Sequence, residues 1–289
     1  MFGPLLLAGL VGTVFVDRVI GLPVGVAVLV AVFGTGALHE FYRLCEARDL
    51  RPVRAAAMTA FLWLVIAHFT IYGLEVGVLP RTRFLSLVQF TGAADGAVLL
   101  LFGLSALLFR RFRSVPDALA SWAGFLYVGV LLAFTLRLRL LPKHGEAWIL
   151  FLVLANKIGD SAAYLVGSRI GRTPLVPSIS PKKTVEGLLA ALVFGSAAGT
   201  AVFALTDAGA AFRGSPALRP LLWVSASLAT TGAAALGDLS KSWVKRWAGA
   251  KDSGRVIPAF GGFLDMVDSF LFSGPAAMML YTLCTREWL

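Results

Sequence analysis

Apolar residues run through this chain in long blocks, each close to the length of one bilayer crossing and separated by short polar stretches. The blocks fall at roughly 3–20, 22–42, 57–79, 94–110, 119–141, 147–168, 185–206, 218–241 and 267–284. A crossing takes about 20 mostly apolar residues. Hydrocarbon offers backbone groups no partner but one another, so each block is expected as a helix. The polar-apolar alternation of a lipid-facing barrel is missing. The pattern predicts an all-α, polytopic integral membrane helical bundle of about nine transmembrane helices. Residues 1–289 are read as a single membrane domain, with 1–145 as N-terminal scaffold helices, a dimer-forming or lipid-facing part, and 146–289 as the half that carries the polar motifs.

Composition agrees. Charged residues make up 15% of the chain, against about 25% for a soluble domain. The net charge is +10, which the excess of Lys and Arg in cytoplasmic loops and contact with anionic membrane lipids account for. No basic soluble module is present to hold nucleic acid. Cys45 and Cys284 have no metal-ligand spacing and no disulfide framework around them. The stretch MFGPLLLAGLVGTVFV lacks the basic start of a signal peptide and is expected to be retained as a first span.

Basic residues gather after the even-numbered blocks, as in Arg43–Arg54, Arg110–Arg113, Arg169–Lys183 and Lys241–Arg255, and are sparser elsewhere. That bias places those loops in the cytoplasm. The N-terminus is then cytoplasmic and the C-terminus external.

The same loops carry the unusual polarity: ANKIGDSAAY (155–164), SISPKKTVEG (178–187) and the run from Gly237 to Ser269. Asp238, Ser242 and Lys245 fall at i, i+4 and i+7, one helical face, and Asp265 and Asp268 at i and i+3, again one face. Carboxylates at membrane helix ends are costly unless they meet water, a cation or a partner. Converging from separate helices, with phosphate oxygens and water, they are the usual ligands of Mg²⁺. Taken singly, each also fits the plainer role of capping a helix or pairing with a nearby Lys.

Ser180-Pro181 reads as a helix start, with Lys182 and Lys183 in its first turn, where the macrodipole disfavours cations by roughly 0.3–1 kcal/mol each. A bound phosphate would reverse that sign; the alternative is a basic anchor with Glu186 as local partner. Lys245, Arg246, Lys251 and Arg255 surround Asp252, and Gly254, Pro258, Gly261 and Gly262 break the helix there. A basic, glycine-bearing loop beside clustered carboxylates suits a polyanion delivered with a divalent metal, such as a nucleoside triphosphate. Neither Walker-type nor dinucleotide phosphate loops occur. Lys157 is expected to snorkel or to pair with Asp160.

These motifs resemble those of the phosphatidate cytidylyltransferases, the CDP-diacylglycerol synthases. Ser242, Lys245, Arg246, Lys251, Asp252, Gly254, Ile257, Pro258, Gly261, Gly262, Phe263, Asp265 and Asp268 fall in register with their C-terminal signature. GDL (with Asp238), DSAAY (Asp160 to Tyr164), SPKKTVEG (Ser180 to Gly187) and HEFYRL (His39 to Leu44) are also similar to family stretches. Phe260 stands where the signature has His, and Met266 where it has Arg.

The resemblance implies transfer of a cytidylyl group from CTP to phosphatidate at the cytoplasmic face, in a bacterial inner membrane. Implied with it are Mg²⁺ on Asp238, Asp265 and Asp268, a monovalent cation such as K⁺, and a homodimer. Asp238, Asp265, Asp268, Ser242 and Lys245 would carry the chemistry. Ser180, Lys182, Lys183, Arg246, Lys251, Asp252 and Asp160 would bind the substrates. Competing readings are a CTP-dependent lipid kinase of the polyprenol type, a family member that has lost activity through Phe260 and Met266, and a transporter. The last fits poorly, because transporters hold their charges at mid-membrane.

Overall fold

A computed structural model describes residues 12–13, 16–77, 114–141, 143–250, 252–254 and 261–285. The expected blocks 3–20 (for the most part) and 94–110 lie outside the described residues, as do Lys251, Arg255 and Phe260. The long helices are α1 (Val24–Glu46), α2 (Arg54–Glu75), α3 (Val115–Arg139), α4 (Gly145–Ile170), α5 (Val185–Leu205), α6 (Arg219–Trp247) and α7 (Phe263–Cys284). All 7 contain stretches long and apolar enough to cross a membrane. A short antiparallel hairpin, β1 (Pro174–Val176) and β2 (Ser180–Thr184), sits between α4 and α5.

The chain divides into two compact units. One contains Val16–Lys143 and Trp247–Val267, so it holds α1 to α3 and the first turn of α7; the other contains His144–Arg246 and Asp268 onward.

In the α1–α3 unit, Ala37, Leu38, Tyr42, Phe61, Phe125, Val128 and Leu136 form the core. A buried phenol in an apolar core needs an acceptor, and Tyr42 Oη donates to the Ser121 carbonyl at 2.8 Å. The loop entering α2 is tied down by α3, with Arg51 N donating to Asp117 Oδ1 at 2.6 Å and Val53 N to Ser121 Oγ at 2.8 Å. Asp17 is 1% exposed. It accepts from Gly25 N and Val26 N at 2.6 and 3.2 Å, using the free donors of α1's first turn.

In the α4–α6 unit, α5 carries a small residue every fourth position: Gly187, Ala191, Gly195 and Gly199. Such a stripe lets membrane helices approach closely. A Cβ at Gly195 would meet the Ala155 carbonyl at 2.7 Å, and one at Gly187 the Ala163 carbonyl at 2.9 Å. The stripe therefore fixes α5 against α4. Trp148 of α4 closes the far end, its ring centroid 5.0 Å from Phe203 and 5.4 Å from Tyr281.

The segment around Ser180 departs from expectation. Ser180–Thr184 is a strand, and the helix starts at Val185 with Thr184 as its cap, its hydroxyl accepting from Gly187 N at 3.1 Å. Ser and Thr are both good caps, so the charges decide. Starting at Ser180 puts Lys182 and Lys183 in the first turn, whereas starting at Thr184 puts Glu186 there, with the dipole. Glu186 also accepts from Thr173 N at 3.2 Å rather than serving as the lysines' partner.

Candidate functional site

In a strand, successive side chains point to opposite faces. Lys182 is exposed, while Lys183 reaches Asp238 of α6, Nζ to Oδ2 2.6 Å. Asp238 is held a second time by Lys241, one helical turn on, at 3.0 Å from Oδ1. Lys241 is 8% exposed, and its ammonium also pairs with Asp268 Oδ2 of α7, itself 6% exposed. Two carboxylates from different helices thus close on one cation. What brings the helices together is Gly237, where a Cβ would collide with the Asp268 carbonyl oxygen.

Beside this cluster, Lys157 of α4 pairs with Asp160 at 3.1 Å, as expected. It also donates to Ser269 Oγ at 3.4 Å, with its Nζ 5.2 Å from the Phe270 ring centroid. Asn156 Nδ2 donates to Ser273 Oγ at 2.7 Å, both buried, which ties α4 to α7 below the charges. Arg246 Nε donates to the Ile179 carbonyl at 3.2 Å, joining α6 to the hairpin, and Lys245 is half-buried. The Ser242 hydroxyl donates to the Asp238 carbonyl at 2.8 Å within α6. Ser180 opens β2 and is half-buried.

Lys157, Lys182, Lys183, Lys241, Lys245 and Arg246 therefore outnumber Asp160, Asp238 and Asp268 in this unit. A surplus of cations beside paired carboxylates can receive a polyphosphate. Among the described residues no three His, Cys, Asp or Glu side chains are grouped as a metal cage. Asp238 and Asp268, already converging on a cation, supply a donor set of two hard oxygens. That fits Mg²⁺, which binds through one or two carboxylates and takes its remaining ligands from substrate phosphates and water.

Asp265 belongs to the α1–α3 unit. Its Oδ2 accepts from Ser253 Oγ at 2.9 Å and from Gly262 N at 3.2 Å. Asp252 is exposed on the same loop. The start of α7 is capped from α1, where Glu40, 3% exposed, accepts from Phe263 N and Leu264 N at 2.9 Å each. Gly254 and Gly262 lie so close to that carboxylate that a Cβ at either would overlap it. Met266 is buried.

Sequence reasoning passed over Lys241 and Glu40 as site residues. Lys241 was legible as the i+3 neighbour of Asp238. Glu40 was legible as a carboxylate inside an apolar block, where a charge needs a partner.

Comparison with known proteins bears on the whole chain. The model of the cytidylyltransferase family matches residues 5–284. A phosphatidate cytidylyltransferase of Mycobacterium bovis is 40% identical over 142 residues, 49% of this chain and 44% of that protein, so the match spans less than half of the mycobacterial relative. The Brucella suis phosphatidate cytidylyltransferase is 32% identical over 84% of this chain and 79% of its own length. That of a Synechocystis species is 32% identical over 82% of each.

Proposed function

The chain belongs to the cytidylyltransferase family, and from that premise we propose that it transfers the cytidylyl group of CTP to phosphatidate, giving CDP-diacylglycerol and pyrophosphate. An oxygen of the lipid phosphate attacks the α-phosphorus of CTP. The bond from that phosphorus to the bridging oxygen breaks, and pyrophosphate leaves with the electron pair. The lipid phosphate is already anionic, so no strong base is required. The obstacle is the approach of two polyanions, which positioning and fixed positive charge overcome.

The observation that carries the reading is the pair Asp238 and Asp268 closed on Lys241, with Lys183 on the outer oxygen of Asp238. Asp238 and Asp268 would hold Mg²⁺. Bound there, the ion supplies neutralisation of triphosphate charge. Lys183, Lys241 and Lys245 steady the β- and γ-phosphates, and Lys182 and Arg246 face the incoming nucleotide from the hairpin side. The site faces the cytoplasm from a bacterial inner membrane, a sidedness that the lysine-rich loops support.

The test is incubation of the purified protein with α-labelled CTP and phosphatidate, followed by extraction of the lipid. Labelled CDP-lipid formed with Mg²⁺, lost with EDTA and reduced at least about a hundredfold in Asp238→Asn is the expected result. Labelled CDP in place of CDP-lipid would establish a lipid kinase instead.

A further inference from the structure

The α1–α3 unit contains an open cavity of about 820 Å³, and none of the residues of the Asp238–Lys241–Asp268 cluster lines it. Its walls come chiefly from one face of α1 and one of α2. Val32, Met58 and Leu62 line its apolar part, and Thr35, His39 and Arg43 follow along α1 toward that helix's C-terminal end. Val32 and Leu62 are 52% and 40% exposed, within helices that qualify as membrane spans, so this part faces acyl chains rather than water.

The polar end sets Arg43 and His39, two groups able to contact an anion, beside one carboxylate. Glu40 lines the cavity, but its oxygens accept from Phe263 N and Leu264 N. Glu46, one turn beyond Arg43, is paired with Arg54. Asp17 and Asp117 are committed to backbone N–H groups. Among the described residues, no carboxylate lies within ion-pair distance of the Arg43 guanidinium or the His39 imidazole, and both residues are exposed. A guanidinium, an imidazole, a hydroxyl and an apolar trough at membrane depth complement a phosphate joined to acyl chains. A zwitterionic head group would bring its own ammonium to the Arg43 guanidinium.

We propose that this cavity is a lipid-phosphate site that takes phosphatidate, with Arg43 and His39 on the phosphate and the trough between α1 and α2 on an acyl chain. The identity of the lipid rests on the cytidylyl-transfer reading; the presence of a lipid-phosphate site does not.

The experiment uses full-length purified protein in detergent, a trace of phosphatidate carrying a photoactivatable group high on one acyl chain, and mass-spectrometric mapping of the adduct. Adducts on α1 and α2 peptides, displaced by unlabelled phosphatidate and by neither phosphatidylcholine nor inorganic phosphate, are expected. Arg43→Gln, which removes a charge-assisted contact, lowers labelling at least about tenfold. Leu62→Trp, which fills the trough from an exposed position, does the same with an unchanged melting temperature. In turnover assays Arg43→Gln raises KM for phosphatidate, as mole fraction in the micelle, and leaves KM for CTP unaltered. Labelling that survives both substitutions, or that phosphatidylcholine displaces equally, overturns the site. Selective labelling in a wild-type protein that makes no CDP-lipid would instead sink the transfer reaction and leave the lipid-phosphate site standing.

Discussion

Lys241 sits where solvent cannot replace it. Its ammonium is the shared partner of Asp238 and Asp268, and only 8% of the residue is exposed. Removing one partner of a buried ion pair leaves the other charge uncompensated, at a cost of about 3–5 kcal/mol. Here the loss falls toward the lower end, because the Asp238 side chain is 35% exposed and retains Lys183. Lys241→Met should therefore destabilise the detergent-solubilised protein by on the order of 3 kcal/mol, read as a lowered thermal midpoint. Adding Asp268→Asn to Lys241→Met should restore much of it, since the stranded buried charge then disappears. The same variant probes the metal assignment without turnover. With the internal cation gone, Mg²⁺ should raise the midpoint of Lys241→Met more than that of the wild type. Equal increments would argue against Asp238 and Asp268 as its ligands.

Helix starts decide where the site's groups point, and they were only partly legible in the sequence. The apolar blocks located both ends of α1 to α7 to within six residues, the widest miss being the end of α6 at Trp247, because hydrocarbon forces a helix wherever the block is long enough. The Ser180 start was misplaced because Ser180 and Thr184 offer equivalent hydroxyls, and only the positions of Lys182, Lys183 and Glu186 relative to the macrodipole separate them. The α7 cap was not legible at all, since Glu40 and Phe263 are 223 positions apart, and no local pattern reports such a contact. That cap is open to measurement. Glu40→Ala strands the Phe263 and Leu264 amides and should cost about 1–3 kcal/mol, while Glu40→Gln, keeping one acceptor oxygen, should cost less than half as much. Gly262→Ala pushes a methyl into the same carboxylate and should resemble Glu40→Ala in thermal midpoint. Full stability in Gly262→Ala would mean the carboxylate can move aside.

For the molecule as a whole, composition and block length carried the membrane class, and the structure supplies 7 helices able to span, with the expected blocks 94–110 and most of 3–20 outside the described residues. Which end of each helix faces the cytoplasm follows from charge alone, because a bundle of apolar helices is nearly symmetric with respect to inversion in the bilayer and only the Lys and Arg bias breaks that symmetry. Helix α5 gives the sharpest test. It has 21 residues, about 31 Å at 1.5 Å each, close to the ~30 Å of hydrocarbon. The loop before it holds Lys182 and Lys183, and the exposed segment after it includes Ser215. Single cysteines, Ser178→Cys or Ser215→Cys, can be placed in a background with Cys45→Ala and Cys284→Ala. A membrane-impermeant maleimide should modify Ser178→Cys only in inverted vesicles and Ser215→Cys only in right-side-out ones. Labelling of both from the same side would mean that α5 does not cross. The reversed assignment would move the lysine-rich site to the outer face, where cytoplasmic CTP cannot reach it, and cytidylyl transfer by this cluster would no longer be tenable.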